Sequence, residues 1–228
     1  MIVEKIRQSP TKCLLISHPR MDRAEKFWDK LADTFDRRVL KHCGQYYIWT
    51  VENTIQYLNR SDVVLDYACG TGIIAIEIAQ NVKEIYAIDI SLKMIEVAKI
   101  KTYERKIENI HFVHSTIFDE RYKRGTFDVI LAFNILHLIE DTQKLMQRIY
   151  ELLKPGGLFI SATECTGDKK TFFNVILLLV SGMGIVPYLK SFNISELEGS
   201  ITKGNFQIIE RDSLKNTQFI VGKKIQRI

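Results

Sequence analysis

Apolar residues recur along this chain with two periods, and the switch between them divides it. From Met21 to about Arg38 the residues Ala24, Phe27, Trp28, Leu31 and Phe35 fall at helical spacing, which predicts an amphipathic helix. A second short helix is expected from Val51 to Leu58. Then the texture changes. "DVVLDYA" from Asp62 reads as a buried strand, followed by the turn Gly70-Thr71-Gly72 and a helix through about Gln80. "EIYAIDI" from Glu84 is a second strand, after which Ser91 suits the N-cap of the helix "LKMIEVAKIKTYERK". "IHFVHST" and "TFDVILAFN" are the third and fourth strands. Asp141 caps the helix "TQKLMQRIYELL", which Pro155-Gly156-Gly157 ends, and "GLFISATE" is the fifth strand.

Near-continuously apolar strands that alternate with helices imply an α/β fold, a parallel sheet covered on both faces. The tail differs. "NFQIIERD" and "QFIVGKK" are separated by only a short turn, so they pair antiparallel at the sheet edge. The chain of 228 residues is long enough for one sizeable core. We read one domain over 1–228. It comprises a helical cap (1–60), a central core (61–165), an insertion on the substrate side (166–203) and the C-terminal strand pair (204–228).

Charge and composition narrow this little. The formal net charge of +5 permits an acidic partner without demanding one. The four cysteines, Cys13, Cys43, Cys69 and Cys165, form no C-x-x-C pair, and no apolar leader with a cleavage site opens the chain. A reducing cytoplasm with free thiols is the expected setting. The most apolar stretch, "FFNVILLLVSGMGIV" from Phe172, is too short and too interrupted for a transmembrane helix. A helix apolar on every side is buried, forms a dimer contact, or lies as a lid over an apolar substrate.

The chemistry gathers at the first glycine turn. Gly70-x-Gly72-x-x-Ala75 fits the dinucleotide fingerprint, in which backbone amides and a helix N-terminus hold a pyrophosphate. Yet Asp66 stands four residues ahead of it and would repel phosphate while welcoming a cation. Asp89 ends the second strand, placed to accept hydrogen bonds from both hydroxyls of a ribose. A ligand with an ammonium group at one end, a ribose at the other and no phosphate fits both acids. S-adenosylmethionine is such a ligand.

On these residues the chain resembles the class I S-adenosylmethionine-dependent methyltransferases, in particular the small-molecule type that includes the ubiquinone and menaquinone biosynthesis enzymes. "VVLDYACGTG" resembles the family's first motif, with Ala68 where glycine is usual. "IYAIDIS", "FDVILAFNILHLIED" and "LLKPGGLFISATE" resemble the later motifs, in the right order. The resemblance implies a Rossmann-like, seven-stranded, mostly parallel sheet of order 3-2-1-4-5-7-6 with strand seven antiparallel. It implies cofactor contacts at Asp66, Ala68, Gly70, Gly72, Asp89, Ile90 and Met94, with Asn134 at the cofactor's methionine end. The product would be S-adenosylhomocysteine. Met94 is equally a core position by periodicity. After strand three the family often has an adenine-binding Asp; here Thr116 stands there, helped by the backbone of Ile117, unless Ser115 takes the role.

His137, just past strand four, is the candidate proton acceptor, against a structural role at the site rim. His111 and His114 read as structural. Cys69 has a helix N-terminus to activate it, but the resemblance makes it a packing residue. Among the N-terminal aromatics, Tyr46 or Tyr47 is the candidate for lining the substrate pocket or facing the sulfonium. The expected reaction is metal-free, in-line methyl transfer to a small-molecule acceptor, apolar or lipid-like, with room for a homodimer. "NILH" after strand four lacks the Pro-Pro-aromatic pattern of base-amine methyltransferases, which counts against nucleic acid. RNA or protein methylation, a non-catalytic S-adenosylmethionine sensor and an NAD-dependent oxidoreductase are the rival readings.

Overall fold

A computed structural model of the chain describes residues 19–167 and 188–226. The apolar stretch 172–186, and with it most of the expected insertion, lies outside the described residues, as does the N-terminal segment before Pro19. The elements in order are α1 (Pro19–Ile55), β1 (Val63–Tyr67), α2 (Ile73–Ile78), β2 (Glu84–Asp89), α3 (Leu92–Glu104), β3 (Ile110–His114), β4 (Phe127–Phe133), α4 (Thr142–Leu152), β5 (Leu153–Glu164), α5 (Ile194–Lys203), β6 (Phe206–Leu214) and β7 (Thr217–Lys224). The sheet has seven strands in the order β3-β2-β1-β4-β5-β7-β6. β7 runs antiparallel to both β5 and β6, and β1, β2, β3, β4 and β5 are parallel.

The two faces of the sheet carry separate cores. Side chains at alternate positions, such as Leu65, Tyr86, Ile130 and Phe159, pack with α4 and α5 on one face. Val64, Ile85, Ala87, Leu131 and Ile160 pack under α2, α3 and the end of α1 on the other. Each of these fully buried side chains contributes about 1.5–3 kcal/mol of apolar burial. The caps behave as expected. Ser91 accepts from the Met94 N–H, and Asp141 from the Lys144 N–H. Asn193 and Glu196 form a reciprocal capping box at the start of α5.

Two expectations are corrected. The two N-terminal helices are longer than expected and meet: α1 is two helices joined across a kink at Cys43 (φ −131°, ψ 16°), the first running past Arg38 and the second starting well before Val51. Apart from Cys43, residues 39–50 are helical, and Tyr46, Tyr47 and Trp49 pack on the core below. And α4 ends at Leu152, ahead of the Pro-Gly-Gly, with β5 already extended from Leu153. Lys154 precedes a proline, and that position disfavours helix.

Candidate functional site

At the carboxyl ends of the parallel strands, where the chain turns back toward the helices, lies a cleft of about 920 Å³. This is near the upper end of the roughly 300–1,000 Å³ typical of ligand cavities, so it has room for more than one small molecule. Its floor is set by strand ends: Asp66 on β1 with Ala68 and Gly70 after it, Asp89 at the end of β2 with Ile90 after it, Asn134 and His137 after β4, and Glu164 at the end of β5. α1 forms the roof through Phe27, Trp28, Phe35, Tyr46 and Tyr47.

The glycine turn owes its shape to left-handed backbone. Gly70 has φ +55° and Gly72 φ +74°. Asp89 locks the turn to β2: its Oδ2 accepts the Gly70 N–H at 2.9 Å and its Oδ1 the Ser91 N–H at 2.8 Å. Each of those oxygens has a second lone pair for a ligand hydroxyl. Burial raises the Asp89 proton affinity, and these two backbone bonds pull it back. Asp66 has no such relief. Burial first, and then the charge of Asp89, push its carboxyl up to about 7. It is a carboxylate waiting for a cation. Cys69, between them, is pushed well up by burial and by both acids, so the helix N-terminus does not activate it.

α1 is tied down at the end of this cleft beside the glycine turn. Asp36 accepts a hydrogen bond from the Thr71 hydroxyl and pairs with Lys101 at 2.5 Å. Asp29 accepts from the Ser91 hydroxyl at 2.6 Å and from the Lys93 N–H at 3.1 Å. Neither aspartate stands out in the sequence, although their seven-residue spacing puts them on one helix face beside Trp28 and Phe35. His114 is structural: its Nε2 lies 2.8 Å from the Ile90 carbonyl and 3.3 Å from Glu25.

Toward β4, the Tyr46 hydroxyl donates to Asn134 Oδ1 at 3.1 Å. Asn134 is itself left-handed (φ +54°), a conformation asparagine tolerates. Burial raises both tyrosines, Tyr47 to about 12, so both hydroxyls stay protonated. Burial lowers His137 to about 4; it is neutral at pH 7, and its buried Nδ1 has no hydrogen-bond partner among the described residues.

Of the expected site residues, Asp66, Ala68, Gly70, Asp89, Ile90, Met94, Asn134, His137, Tyr46 and Tyr47 line this one cleft. Gly72, Thr116 and Ile117 are not part of its wall. A Cβ at Gly72 would come within 2.8 Å of Phe112, so this glycine serves helix–sheet packing. Ile117 is fully buried in the opposite core. Ser115 is engaged with Asp119 at 2.9 Å, and the Thr116 carbonyl accepts the Asp119 N–H. Ala68 carries φ +60°, so the alanine that replaces the usual glycine sits in a strained backbone. Among the described residues no group of three or more His, Cys, Asp or Glu is arranged to hold a metal ion, and no helix is long and apolar enough to cross a membrane.

Residues 58–176, about half of the chain, match the family described as a methyltransferase domain. A demethylmenaquinone methyltransferase of Geobacillus is 26% identical over 141 residues, 60% of each chain. The chain therefore spans about three fifths of the length of that relative. A ubiquinone/menaquinone biosynthesis C-methyltransferase of Rickettsia prowazekii is 28% identical over 209 residues, covering 84% of this chain and 78% of that one. Among solved structures, a geranyl diphosphate C-methyltransferase of Streptomyces coelicolor, crystallised with Mg²⁺, geranyl diphosphate and S-adenosylhomocysteine, superposes with a TM-score of 0.74. It is 10% identical, over 92% of this chain and 99% of that one. That likeness is one of fold.

Proposed function

This chain belongs to the methyltransferase-domain family, and we propose that it transfers a methyl group from S-adenosylmethionine to a small apolar or lipid-like acceptor, without a metal. The observation that carries the reading is the buried Asp66 carboxylate, which has no offsetting charge among the described residues and opens onto the same cleft as the Asp89-locked glycine turn. A dinucleotide's pyrophosphate would be repelled there; an ammonium group is attracted. Asp89 would hold the ribose, Ile90 and Met94 the adenine, and Asn134 the methionine end.

When bound, S-adenosylmethionine supplies a methyl carbon already activated by its sulfonium, which an acceptor's nucleophile displaces in line. The protein's own part is to align the reactants and exclude water. Orientation of this kind supplies about 7–11 kcal/mol. The aromatic roof of α1, pinned by Asp29 and Asp36, would cover the bound reactants. His137 lines the cleft with its Nδ1 buried, so it is the other ring nitrogen, Nε2, that would meet a nucleophile's proton. At a proton affinity this low it orients that proton and accepts it only as the nucleophile becomes acidic.

The test is transfer of radiolabelled methyl from S-adenosylmethionine into an organic-extractable product, across quinols, phenols and amines on apolar bodies. Labelled product with at least one acceptor is the expected result. Binding of S-adenosylmethionine with no transfer to small molecules, RNA or protein would replace the reading with that of a sensor.

A further inference from the structure

The sheet order divides the cleft into two ends. β2 and β1 underlie one end, with Asp89, Asp66 and the glycine turn. β4 is central, with Asn134 and His137. β5 and β7 underlie the other end, where Glu164 meets Lys215, Asn216 and Thr217. If the cofactor occupies the first end, as proposed above, the acceptor enters at the second, between the apolar side chains Leu138, Leu189 and Leu214.

Glu164 is the last residue of β5. Its Cα pairs across the ladder with Thr217, and the next N–H, from Cys165, donates to the Asn216 carbonyl at 2.8 Å. The carboxylate is thus mounted on a strand held from one side by the antiparallel ladder, which is a rigid mount for recognition. It is solvent-exposed and makes no hydrogen bond or ion pair with any described residue. Its charge reaches Tyr46, where it adds to the burial that keeps that hydroxyl protonated. Lys41 and Lys215 also line the cleft, exposed at the rim, and neither is within ion-pair distance of Glu164.

We propose that Glu164 is an acceptor-recognition residue and that the acceptor carries a protonated amine on an apolar body. An exposed carboxylate beside apolar walls, with no partner among the described residues, favours a cation with N–H donors. Charge-assisted hydrogen bonds of this kind are roughly twice as strong as neutral ones. An anionic head would be repelled by Glu164, a repulsion that Lys41 and Lys215 at the rim offset only in part, and a hydroxyl gains less. The inference rests on the methyltransferase reading for the placement of the cofactor.

The test is calorimetric titration of the full chain, saturated with S-adenosylhomocysteine, with octylamine, octanol and octanoate, on wild type, Glu164→Gln and Glu164→Lys. Wild type should bind octylamine about tenfold more tightly than octanol, with octanoate weaker still. Glu164→Gln should erase the amine preference, and Glu164→Lys should turn it toward octanoate, with the affinity for S-adenosylhomocysteine unchanged in both. Absence of an amine preference in wild type, or a preference that survives Glu164→Gln, overturns the proposal alone. Failure of S-adenosylhomocysteine to bind wild type overturns the methyltransferase reading and the proposal with it.

Discussion

Asp66 makes opposite demands on stability and on ligand binding, and this can be measured. Its carboxyl is raised from the ordinary 3.8 to about 7 by burial and by Asp89. In the free protein the folded state therefore holds a proton on Asp66 that the unfolded chain releases between about pH 4 and pH 7. Stability falls as pH rises through that window, because there the native state binds more protons. Three pKa units at about 1.36 kcal/mol each give a penalty of up to about 4 kcal/mol above pH 7. Affinity for a ligand with an ammonium group runs the other way, because only ionised Asp66 attracts it. About nine tenths of Asp66 is ionised at pH 8 and about one tenth at pH 6, so affinity should drop close to tenfold over that range. The assays are calorimetric titration with S-adenosylhomocysteine at half-unit steps from pH 6 to 8.5, and thermal unfolding over the same range. Asp66→Asn should bind at least about tenfold more weakly at pH 8, with a much flatter pH profile. It should also unfold several degrees higher than wild type at pH 8, at about 2–4 °C per kcal/mol for a chain of this size. A flat affinity profile in wild type, or an Asp66→Asn variant less stable than wild type at pH 8, would refute the reasoning.

Three further outcomes follow from local geometry. Gly72→Ala should lose at least about 2 kcal/mol in urea unfolding, because its Cβ would meet the Phe112 ring at 2.8 Å and its φ is +74°. Ala68→Gly should gain about 1 kcal/mol in the same assay, since Ala68 sits at φ +60°, with S-adenosylhomocysteine affinity within about twofold of wild type. His137→Gln should lower the rate of methyl transfer to an active acceptor about 100-fold while leaving S-adenosylhomocysteine binding unchanged; the wild-type rate should show no His137 titration between pH 5.5 and 8, since burial holds it at about 4.

The central sheet was legible because each parallel strand is a short apolar run closed by a turn or cap residue, and because one brief turn joins the last two strands. Pairing order came from the resemblance of the motifs, and the observed order agrees with it. That the two helices of α1 meet at a kink at Cys43 was not legible. Residues 39–50 mix exposed apolar side chains such as Leu40 and Ile48 with aromatics that pack inward, which blurs the helical period. The floor of the site could be read because Asp66, Asp89, Asn134 and His137 all lie at or just past the carboxyl ends of neighbouring parallel strands. Its roof and latches could not: the Asp36–Thr71 contact joins residues 35 apart and the Asp29–Ser91 contact residues 62 apart, and no local pattern encodes such pairings. The reading after β3 carried the family's adenine contact onto Thr116 and Ile117 by position in the motif. There the chain instead turns into a network of Ser115, Asp119 and Arg121.

The central claim is that the Asp66–Asp89 end of the cleft holds S-adenosylmethionine. The most direct measurement is titration of wild type and Asp89→Ala with S-adenosylmethionine and S-adenosylhomocysteine at pH 8. Micromolar binding to wild type, weakened at least about tenfold in Asp89→Ala by loss of the ribose contacts and of the bond that fixes the Gly70 turn, is the predicted result. Absence of binding to wild type, or equal binding by the variant, would contradict it.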